Sequence, residues 1–183
     1  MKQKQDSGTL TADFNAFLPI LLGFEGGYVE DPTDPGGETN KGVTMSTFQQ
    51  YAQELLGVDP TSDNLKALTD DQAGTIYRTL YWNKIHGDDF ASQYLANIVC
   101  DFFVNSGTHA TKLLQHVLNG LGANLTEDGA IGPGSLNALA AADQTQVYRN
   151  YKQGRIDYYT ALGAKYPQFV KGWLNRANAF PDL

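Results

Sequence analysis

The most informative segment of the chain reads Phe24-Glu-Gly-Gly-Tyr-Val-Glu-Asp-Pro-Thr-Asp-Pro-Gly-Gly-Glu-Thr-Asn-Lys-Gly-Val-Thr44. Its prolines and glycines are typical of turns, so the segment predicts loops with a short hairpin rather than a helix. Glu25 ends an apolar stretch, where partial burial favours the protonated form of a carboxyl group. Two glycines follow Glu25 directly, which lets the backbone turn sharply and a ligand approach closely. The segment is therefore a candidate functional site.

Two further side chains of this segment complete a possible catalytic set. Asp34 comes nine residues after Glu25, and Thr39 adds a hydroxyl group five residues later. A protonated carboxylic acid, an ionised carboxylate and a hydroxyl that holds a water molecule are the groups of an inverting glycosidase. The same residues also allow an ordinary solvated loop, in which Glu25 caps a helix and Asp31 or Asp34 is a turn residue before proline.

Apolar residues recur at helical spacing on both sides of this segment. Before it, residues 14–22 form one apolar face, in which Pro19 lies in the first turn or introduces a kink. After it, Thr69 and Gln72 have the spacing of a capping box, and Pro133 suits the first position of a helix. Because strands and helices do not alternate, we expect a mainly α fold. The predicted helices span residues 14–22, 44–56, 70–82, 92–104, 108–121, 146–162 and 167–178, with another beginning at Pro133.

Composition excludes several classes of protein. The chain has 183 residues, enough for one domain or one domain with a small appendage. Its longest apolar run has eight residues, whereas a membrane-spanning helix needs about 20, so we expect no membrane insertion. The net charge of −7, without any run of Lys or Arg, disfavours nucleic-acid binding. Cys100 is the only cysteine and the three histidines lack metal-ligand spacing, so we expect no disulfide, no metal site and no cofactor.

Linked motifs follow one another along the chain. They are Glu25-Gly-Gly-Tyr28, Asp31-Pro-x-Asp-Pro-Gly-Gly-x-Thr-Asn-Lys-Gly-Val-Thr44, Ile76-Tyr-Arg-x-x-Tyr-Trp-x-Lys-Ile-x-Gly-Asp88 and Asp101-x-x-Val-Asn-Ser-Gly107. In this order they resemble the signature of glycoside hydrolase family 108, the N-acetylmuramidases of phage and prophage endolysins. The resemblance covers roughly residues 12 to 178. It implies a lysozyme-like, mainly helical fold with a short loop or β-hairpin after the catalytic glutamate.

The resemblance also implies roles for single residues. Glu25 would be the general acid in cleavage of the peptidoglycan glycan strand. Asp34 and Thr39 would position or activate a water molecule, with Asp31 as the rival for the second carboxylate. The order Glu, Asp, Thr is similar to that of phage-type lysozymes, although the last gap here is one residue shorter.

Two more side chains are candidates for substrate binding. Tyr28 is expected to stack on a sugar ring, and a core or hinge role is the alternative. Asn105 is expected to hydrogen-bond an N-acetyl group, and a cap at the end of its helix before Gly107 is the alternative.

The C-terminal part carries two motifs of its own, Asp128-Gly-x-Ile-Gly-Pro133 and Trp173-Leu-Asn-Arg176. They resemble a small helical peptidoglycan-binding module. The same residues allow a structural role, in which the turn caps the helix at Pro133 and the nearby leucines are core residues. We expect a catalytic region over residues 10–107 and a peptidoglycan-binding-like region over residues 108–183, packed on the same body.

Three functions are compatible with these residues. We favour an N-acetylmuramidase that hydrolyses the β-1,4 bond between N-acetylmuramic acid and N-acetylglucosamine. A lytic transglycosylase uses one glutamate without a water-activating partner, so Asp34 and Thr39 argue against it. A non-catalytic peptidoglycan-binding or secretion-accessory protein would not need a catalytic glutamate, so the presence of Glu25 argues against this alternative.

The expected cellular location follows from the substrate and from the first residues of the sequence. The first residues contain no apolar region of the kind found in secretory signal peptides. We therefore expect synthesis in the bacterial cytoplasm, export through a holin or a secretion system, and bacteriolytic action in the periplasm or cell wall. The expected partner is peptidoglycan, and the expected state is a monomer.

Overall fold

The computed structural model describes residues 11–30 and 37–183. Helices make up most of these residues, and the strands among them form a single small sheet. The predicted mainly α, lysozyme-like fold is thus confirmed. The described residues divide into two compact units, an N-terminal unit (Phe14–Lys84) and a C-terminal unit (Ile85–Leu183 with residues 11–13). No helix within the described ranges is long and apolar enough to cross a bilayer.

The N-terminal unit begins with α1 (Phe14–Phe24), whose buried residues include Phe17 and Leu21. This face is the one that the apolar spacing predicts. Phe17 stacks on the buried ring of Trp82, with the two ring centroids 5.6 Å apart. Pro19 is an interior residue of the helix at an exposed position, so it does not lie in the first turn. The helix ends directly before the candidate catalytic glutamate, which positions that carboxyl at the edge of the core.

A three-stranded antiparallel sheet follows, with the strands in the order β1, β2, β3. The predicted short hairpin is therefore extended by a third strand. Thr39 lies opposite Val29 in one pair of strands and opposite Thr44 in the other, so these three side chains share one face of the sheet. The strand bounds are β1 (Val29–Glu30), β2 (Glu38–Asn40) and β3 (Val43–Thr44).

Three further helices belong to the described part of the N-terminal unit, and two of them were predicted. The predicted capping box is present at the start of α4, where Thr69 and Gln72 bond each other's backbone. The five residues of α3 are too few to show helical periodicity, and its one sequence signal is the N-cap Thr61, which accepts a 3.2 Å hydrogen bond from Asn64 N. The bounds are α2 (Met45–Tyr51), α3 (Ser62–Lys66) and α4 (Asp70–Tyr77), with π-helical turns Ala52–Leu56 and Arg78–Trp82 extending α2 and α4.

The C-terminal unit is built from five helices within the described residues, all of them predicted. Pro133 occupies the first turn of its helix, as its fixed backbone angle favours. Two 3₁₀ turns, Asn83–Ile85 and Gly87–Asp89, precede the first of these helices. The bounds are α5 (Gln93–Ser106), α6 (Thr108–Gly120), α7 (Pro133–Ala141), α8 (Gln144–Gly163) and α9 (Pro167–Asn178).

A buried ion-pair cluster joins three helices of the C-terminal unit. The Asp101 carboxylate of α5 is fully buried and accepts hydrogen bonds from Arg155 Nη2 at 2.6 Å and Arg176 Nη2 at 2.7 Å. Arg155, also fully buried, lies 5.2 Å from the ring centroid of Phe102 and 5.3 Å from that of Phe180. The cluster joins two motifs that are distant in sequence, since one supplies Asp101 and the other Arg176.

Candidate active site

Glu25 stands at the junction between α1 and the loop that follows. Its backbone N–H donates a 3.1 Å hydrogen bond to the carbonyl oxygen of Leu21, so the last helical turn extends to this residue. The side chain is half-buried, and the two glycines after it are exposed. The local fold therefore brings the Glu25 side chain to the end of α1, directly before an exposed pair of glycines.

The turn between β2 and β3 packs directly against the Glu25 carboxyl. Lys41 and Gly42 both have positive φ angles, 50° and 74°, which allow the tight connection of the two strands. A Cβ atom on Gly42 would lie 2.6 Å from Glu25 Oε2 and 2.8 Å from its Cδ. Such distances are shorter than any tolerable contact between these atoms. Glycine is therefore favoured at position 42 for two reasons: its backbone angle, and the displacement of the Glu25 carboxyl that any side chain there would cause.

Tyr77 of α4 also binds this turn. Its hydroxyl group donates a 2.9 Å hydrogen bond to the carbonyl oxygen of Lys41. Tyr77 is only 3% exposed, and its ring packs 5.6 Å from that of Tyr81. The same hydroxyl oxygen would also clash with a Cβ atom on Gly42, so Tyr77, like Glu25, lies close to this glycine. Glu25, Gly42 and Tyr77 thus form one contact cluster, which we call the glutamate seat.

A cleft of about 610 Å³ opens beside the glutamate seat, within the N-terminal unit. Its volume lies in the range of roughly 300–1,000 Å³ that is usual for ligand pockets. At its rim the Lys41 ammonium lies 2.5 Å from a carboxylate oxygen of Asp70. The lining combines an apolar wall with charged groups, and its residues include Leu18, Leu22, Glu25, Lys41, Asp70 and Asp71.

Thr39, the predicted holder of a water molecule, lies in the middle strand of the sheet and is half-buried. Its neighbour on the same face, Thr44, caps α2 by accepting a 3.2 Å hydrogen bond from Thr47 N. The structure therefore brings Thr39 into the sheet whose β2–β3 turn touches Glu25. The two candidates for the second carboxylate, Asp31 and Asp34, lie outside the described residues.

Tyr28, the predicted sugar-stacking residue, belongs to the N-terminal unit and is half-buried. Its hydroxyl group donates a 3.2 Å hydrogen bond to Glu30 Oε2, and the Lys66 ammonium lies 5.1 Å from its ring centroid. Desolvation, followed by the hydrogen bond to Glu30, raises the pKa of Tyr28. The ring is thus held in a local polar network, and its stacking on a sugar stays a prediction.

The face of the sheet opposite Thr39 has a structural role that sequence reasoning missed. Asn40 is buried and donates hydrogen bonds of 2.8 and 3.1 Å to the carbonyl oxygens of Leu65 and Lys66. Glu38 accepts a 2.7 Å hydrogen bond from the Ser62 hydroxyl, also on α3. These contacts anchor β2 to α3. The alternation of side chains along a strand could have assigned Glu38 and Asn40 to the face opposite Thr39. Because α3 was not predicted, however, the sequence did not indicate what these two side chains bind.

Asn105, the other predicted substrate-binding residue, lies near the end of α5 in the C-terminal unit. Its amide nitrogen donates a 2.6 Å hydrogen bond to the carbonyl oxygen of Asp101, one helical turn earlier. Its contact with substrate stays a prediction.

Sequence reasoning did not identify Gly42, Lys41 or Tyr77 as site residues, although all three fall in the motifs quoted above. The signal was available only for Gly42, since a glycine between two strands is typical of a turn that needs positive φ. Within the part of the chain that the structure describes, no group of three or more His, Cys, Asp or Glu side chains could hold a metal ion.

Comparison with known proteins agrees with this architecture. The family model described as Glycosyl hydrolase 108 matches residues 18–107, and the one described as Predicted Peptidoglycan domain matches residues 109–178. The solved structure of Brucella abortus SagA is 32% identical in sequence, covers 91% of this chain and 94% of its own, and superposes with a TM-score of 0.65. Comparison with curated proteins finds no match.

These matches define a glycoside hydrolase that acts on peptidoglycan. The chain belongs to glycosyl hydrolase family 108. The division into regions 10–107 and 108–183 stays a prediction.

Proposed function

We propose that the protein is an N-acetylmuramidase in which Glu25 is the general acid. The reaction is hydrolysis of the β-1,4 bond between N-acetylmuramic acid and N-acetylglucosamine. The observation that carries the proposal is the glutamate seat, where a half-buried carboxyl at the end of α1 adjoins a cleft of about 610 Å³. Membership of a glycoside hydrolase family supports the reaction class.

Cleavage of a glycosidic bond requires a proton on the leaving oxygen and negative charge near an oxocarbenium-like centre. Glu25 donates the proton, which contributes about 10²–10⁴-fold to the rate. Asp34 supplies the negative charge, or activates a water molecule that the Thr39 hydroxyl positions. Thr39 suits this role because its strand leads into the turn that touches Glu25. Asp31 is the alternative second carboxylate.

The test is digestion of purified peptidoglycan by the native protein and by Glu25→Gln, with the released ends identified by mass spectrometry. We expect reducing N-acetylmuramic acid ends from the native protein and a loss of at least about 10²-fold in Glu25→Gln. The matched control is Glu54→Gln, since Glu54 is an exposed glutamate on the π-helical turn after α2. Anhydro-muramic ends would reassign the protein as a lytic transglycosylase, and full activity of Glu25→Gln would remove Glu25 from the mechanism.

A second pair of variants identifies the partner of Glu25. We expect Asp34→Asn to lose much more activity than Asp31→Asn, and the reverse result would assign the role to Asp31. The anomeric configuration of the first product, followed by NMR, reports the geometry. Inversion corresponds to carboxyl groups about 6.5–9.5 Å apart, and retention corresponds to about 5–5.5 Å.

The site of action is part of the same proposal. Peptidoglycan lies outside the cytoplasm, so we infer action in the periplasm or cell wall after export. The net charge of −7 gives no attraction to polyanionic surfaces, so the rate of lysis should not rise steeply as ionic strength falls.

A further inference from the structure

The cleft beside Glu25 has two sides of different chemistry. Its apolar wall comes from α1, where Leu18, Pro19 and Leu22 line it. Leu18 and Leu22 are half-buried and Pro19 is exposed, so the wall has apolar surface that a ligand can cover. Among the described residues that line the cleft, Lys41 is the one that carries a positive charge. The cleft therefore offers an apolar surface and an ammonium group to the same ligand.

The backbone of Lys41 is fixed by contacts that do not involve its ammonium group. Its φ angle is 50°, and its carbonyl oxygen accepts the 2.9 Å hydrogen bond from the Tyr77 hydroxyl. The ammonium lies 2.5 Å from one carboxylate oxygen of Asp70. An ammonium group has three N–H donors, and this contact takes one of them. Lys41 can therefore bind a further acceptor while it keeps Asp70.

The acidic residues beside Lys41 leave it available to a ligand. The side chain of Asp70 is 66% exposed, and an ion pair that water reaches in this way is weak. Asp70 and Asp71 both lie in the first turn of α4, where the partial positive charge of the helix N-terminus offsets part of their negative charge. An incoming carboxylate can thus approach the ammonium at small cost.

An apolar wall with an ammonium group nearby suits a ligand that carries a methyl group and a carboxylate together. N-acetylmuramic acid differs from N-acetylglucosamine by a lactyl ether, which consists of a methyl group and a carboxylate on one carbon atom. Where a stem peptide is attached, the lactyl carboxylate has become an amide, and the peptide brings carboxylates of its own. The cleft therefore matches the arm that distinguishes the two sugars of peptidoglycan.

We propose that this cleft is the subsite for the lactyl arm of N-acetylmuramic acid. The wall formed by α1 contacts the methyl group, and the Lys41 ammonium binds a carboxylate, either that of the lactyl group or one of the attached peptide. Lys41 is then a specificity-determining residue that binds substrate and takes no part in proton transfer. The inference rests on the proposed function, in which the same cleft receives the glycan strand.

The test measures binding by calorimetry in the Glu25→Gln background, with and without Lys41→Met. Methionine keeps an unbranched side chain, and the hydrogen bond to the carbonyl oxygen of residue 41 does not depend on the side chain. The ligands are a peptide-free glycan oligomer with free lactyl groups, the same oligomer with its carboxylates reduced to alcohols, and a chitin oligomer of equal length. For the first ligand we expect Lys41→Met to raise Kd by roughly 5- to 20-fold, between the effects of an exposed ion pair and a charge-assisted hydrogen bond.

The other two ligands carry no carboxylate, so their Kd should not change. An equal loss of affinity for all three ligands would overturn the inference. Peptide-bearing muropeptides distinguish the two sources of the carboxylate. A loss for the peptide-free glycan assigns the lactyl carboxylate to Lys41, and a loss for muropeptides alone assigns a carboxylate of the stem peptide. No loss for either would reject the subsite.

Two further variants test the remaining parts of the proposal. Lys84→Met is the matched control, because Lys84 is an exposed lysine of the N-terminal unit on a 3₁₀ turn, and it should leave every Kd unchanged. Leu22→Ala shortens the apolar wall, so it should raise Kd for the free and the reduced glycan alike, by about 2- to 5-fold. An equal loss for chitin in Leu22→Ala would show that the wall contacts the sugar ring rather than the lactyl methyl group.

These binding measurements also separate the inference from the proposed function. If the native protein released no N-acetylmuramic acid ends from peptidoglycan, the proposed function would fail, whereas a carboxylate-dependent loss of affinity in Lys41→Met would still establish the subsite. If the native protein were an active muramidase and Lys41→Met bound all ligands as the Glu25→Gln background does, the subsite alone would be rejected.

Discussion

Two acidic residues of this chain, Glu25 and Asp101, occur in motifs of the same family signature, yet their surroundings differ completely. Asp101 is fully buried and bound by two guanidinium groups, those of Arg155 and Arg176. Glu25 is half-buried beside a cleft, and its carboxyl group lies close to Gly42. The two carboxyl groups also belong to different compact units.

The difference shows how a structural carboxyl group can be separated from a candidate catalytic one. The two arginines compensate the charge of Asp101, and burial prevents its contact with any substrate. Such a group stabilises only as a member of its cluster, because removing one partner leaves uncompensated charge in the core. A general acid needs the opposite setting, in which the proton is retained until substrate arrives and can then leave. Motif membership alone does not distinguish these settings, whereas burial and the identity of the neighbours do.

The largest expected effect is on stability and comes from Asp101→Asn. Two arginines would then face a neutral partner in the core, so we expect the free energy of unfolding to fall by about 3–5 kcal/mol in urea titrations. Asp157→Asn, at an exposed position on α8, should lose well under 1 kcal/mol. If Asp101→Asn unfolded as the native protein does but lost its activity, the assignment of Asp101 as a structural acid would be wrong.

The next effect is on activity and comes from Gly42→Ala. The new methyl group would displace the Glu25 carboxyl, and a misplacement of about 1 Å costs on the order of 10²-fold in rate. Gly57→Ala is the matched control, because Gly57 has a similar φ of 67° but open space around it. Both variants should lose about 1–2 kcal/mol of stability from the left-handed backbone. Equal activities of the two variants would show that the space beside Glu25 is not required.

Much of the fold could be predicted from the sequence because its signals are local. Each of these signals comes from residues that are close together in sequence. Examples are the apolar spacing of α1, the capping box of Thr69 and Gln72, and the proline at the start of α7. The glutamate seat could not be predicted in the same way. It joins Glu25 to a residue 52 positions away, Tyr77, through a turn whose carbonyl oxygen carries no sequence signature. Tyr77 falls in a quoted motif, but no local pattern links it to Glu25.

The smallest expected effect concerns a third carboxyl group, that of Asp128, in the turn that resembles a peptidoglycan-binding module. Hydrogen bonds from Gln115 Nε2 at 2.9 Å and from Ala130 N at 2.9 Å lower its pKa, the one from Gln115 most. A lowered pKa in the folded state adds stability above the pKa of the unfolded chain, and this stability is lost as pH falls through the folded value. Gln115→Ala should therefore raise the pKa of Asp128 toward its ordinary value and reduce the loss of stability between neutral pH and pH about 3.

The measurement for Asp128 is an NMR titration of its carboxyl carbon, together with unfolding curves at several pH values. Lys112→Ala serves as a control, because Lys112 is the weakest of the causes that lower this pKa. Gln115 is 2% exposed. Its amide also donates a 3.0 Å hydrogen bond to the carbonyl oxygen of Ala130 and accepts one of 2.8 Å from Gly129 N, so it holds the turn at three points. A rise in the pKa of Asp128 in Gln115→Ala would show that the turn is a structural element, like the Asp101 cluster. It would differ from that cluster in being held by hydrogen bonds and not by ion pairs. If the pKa of Asp128 stayed low in Gln115→Ala, the backbone hydrogen bonds of the turn alone would lower that pKa. The turn would then fold without the Gln115 side chain.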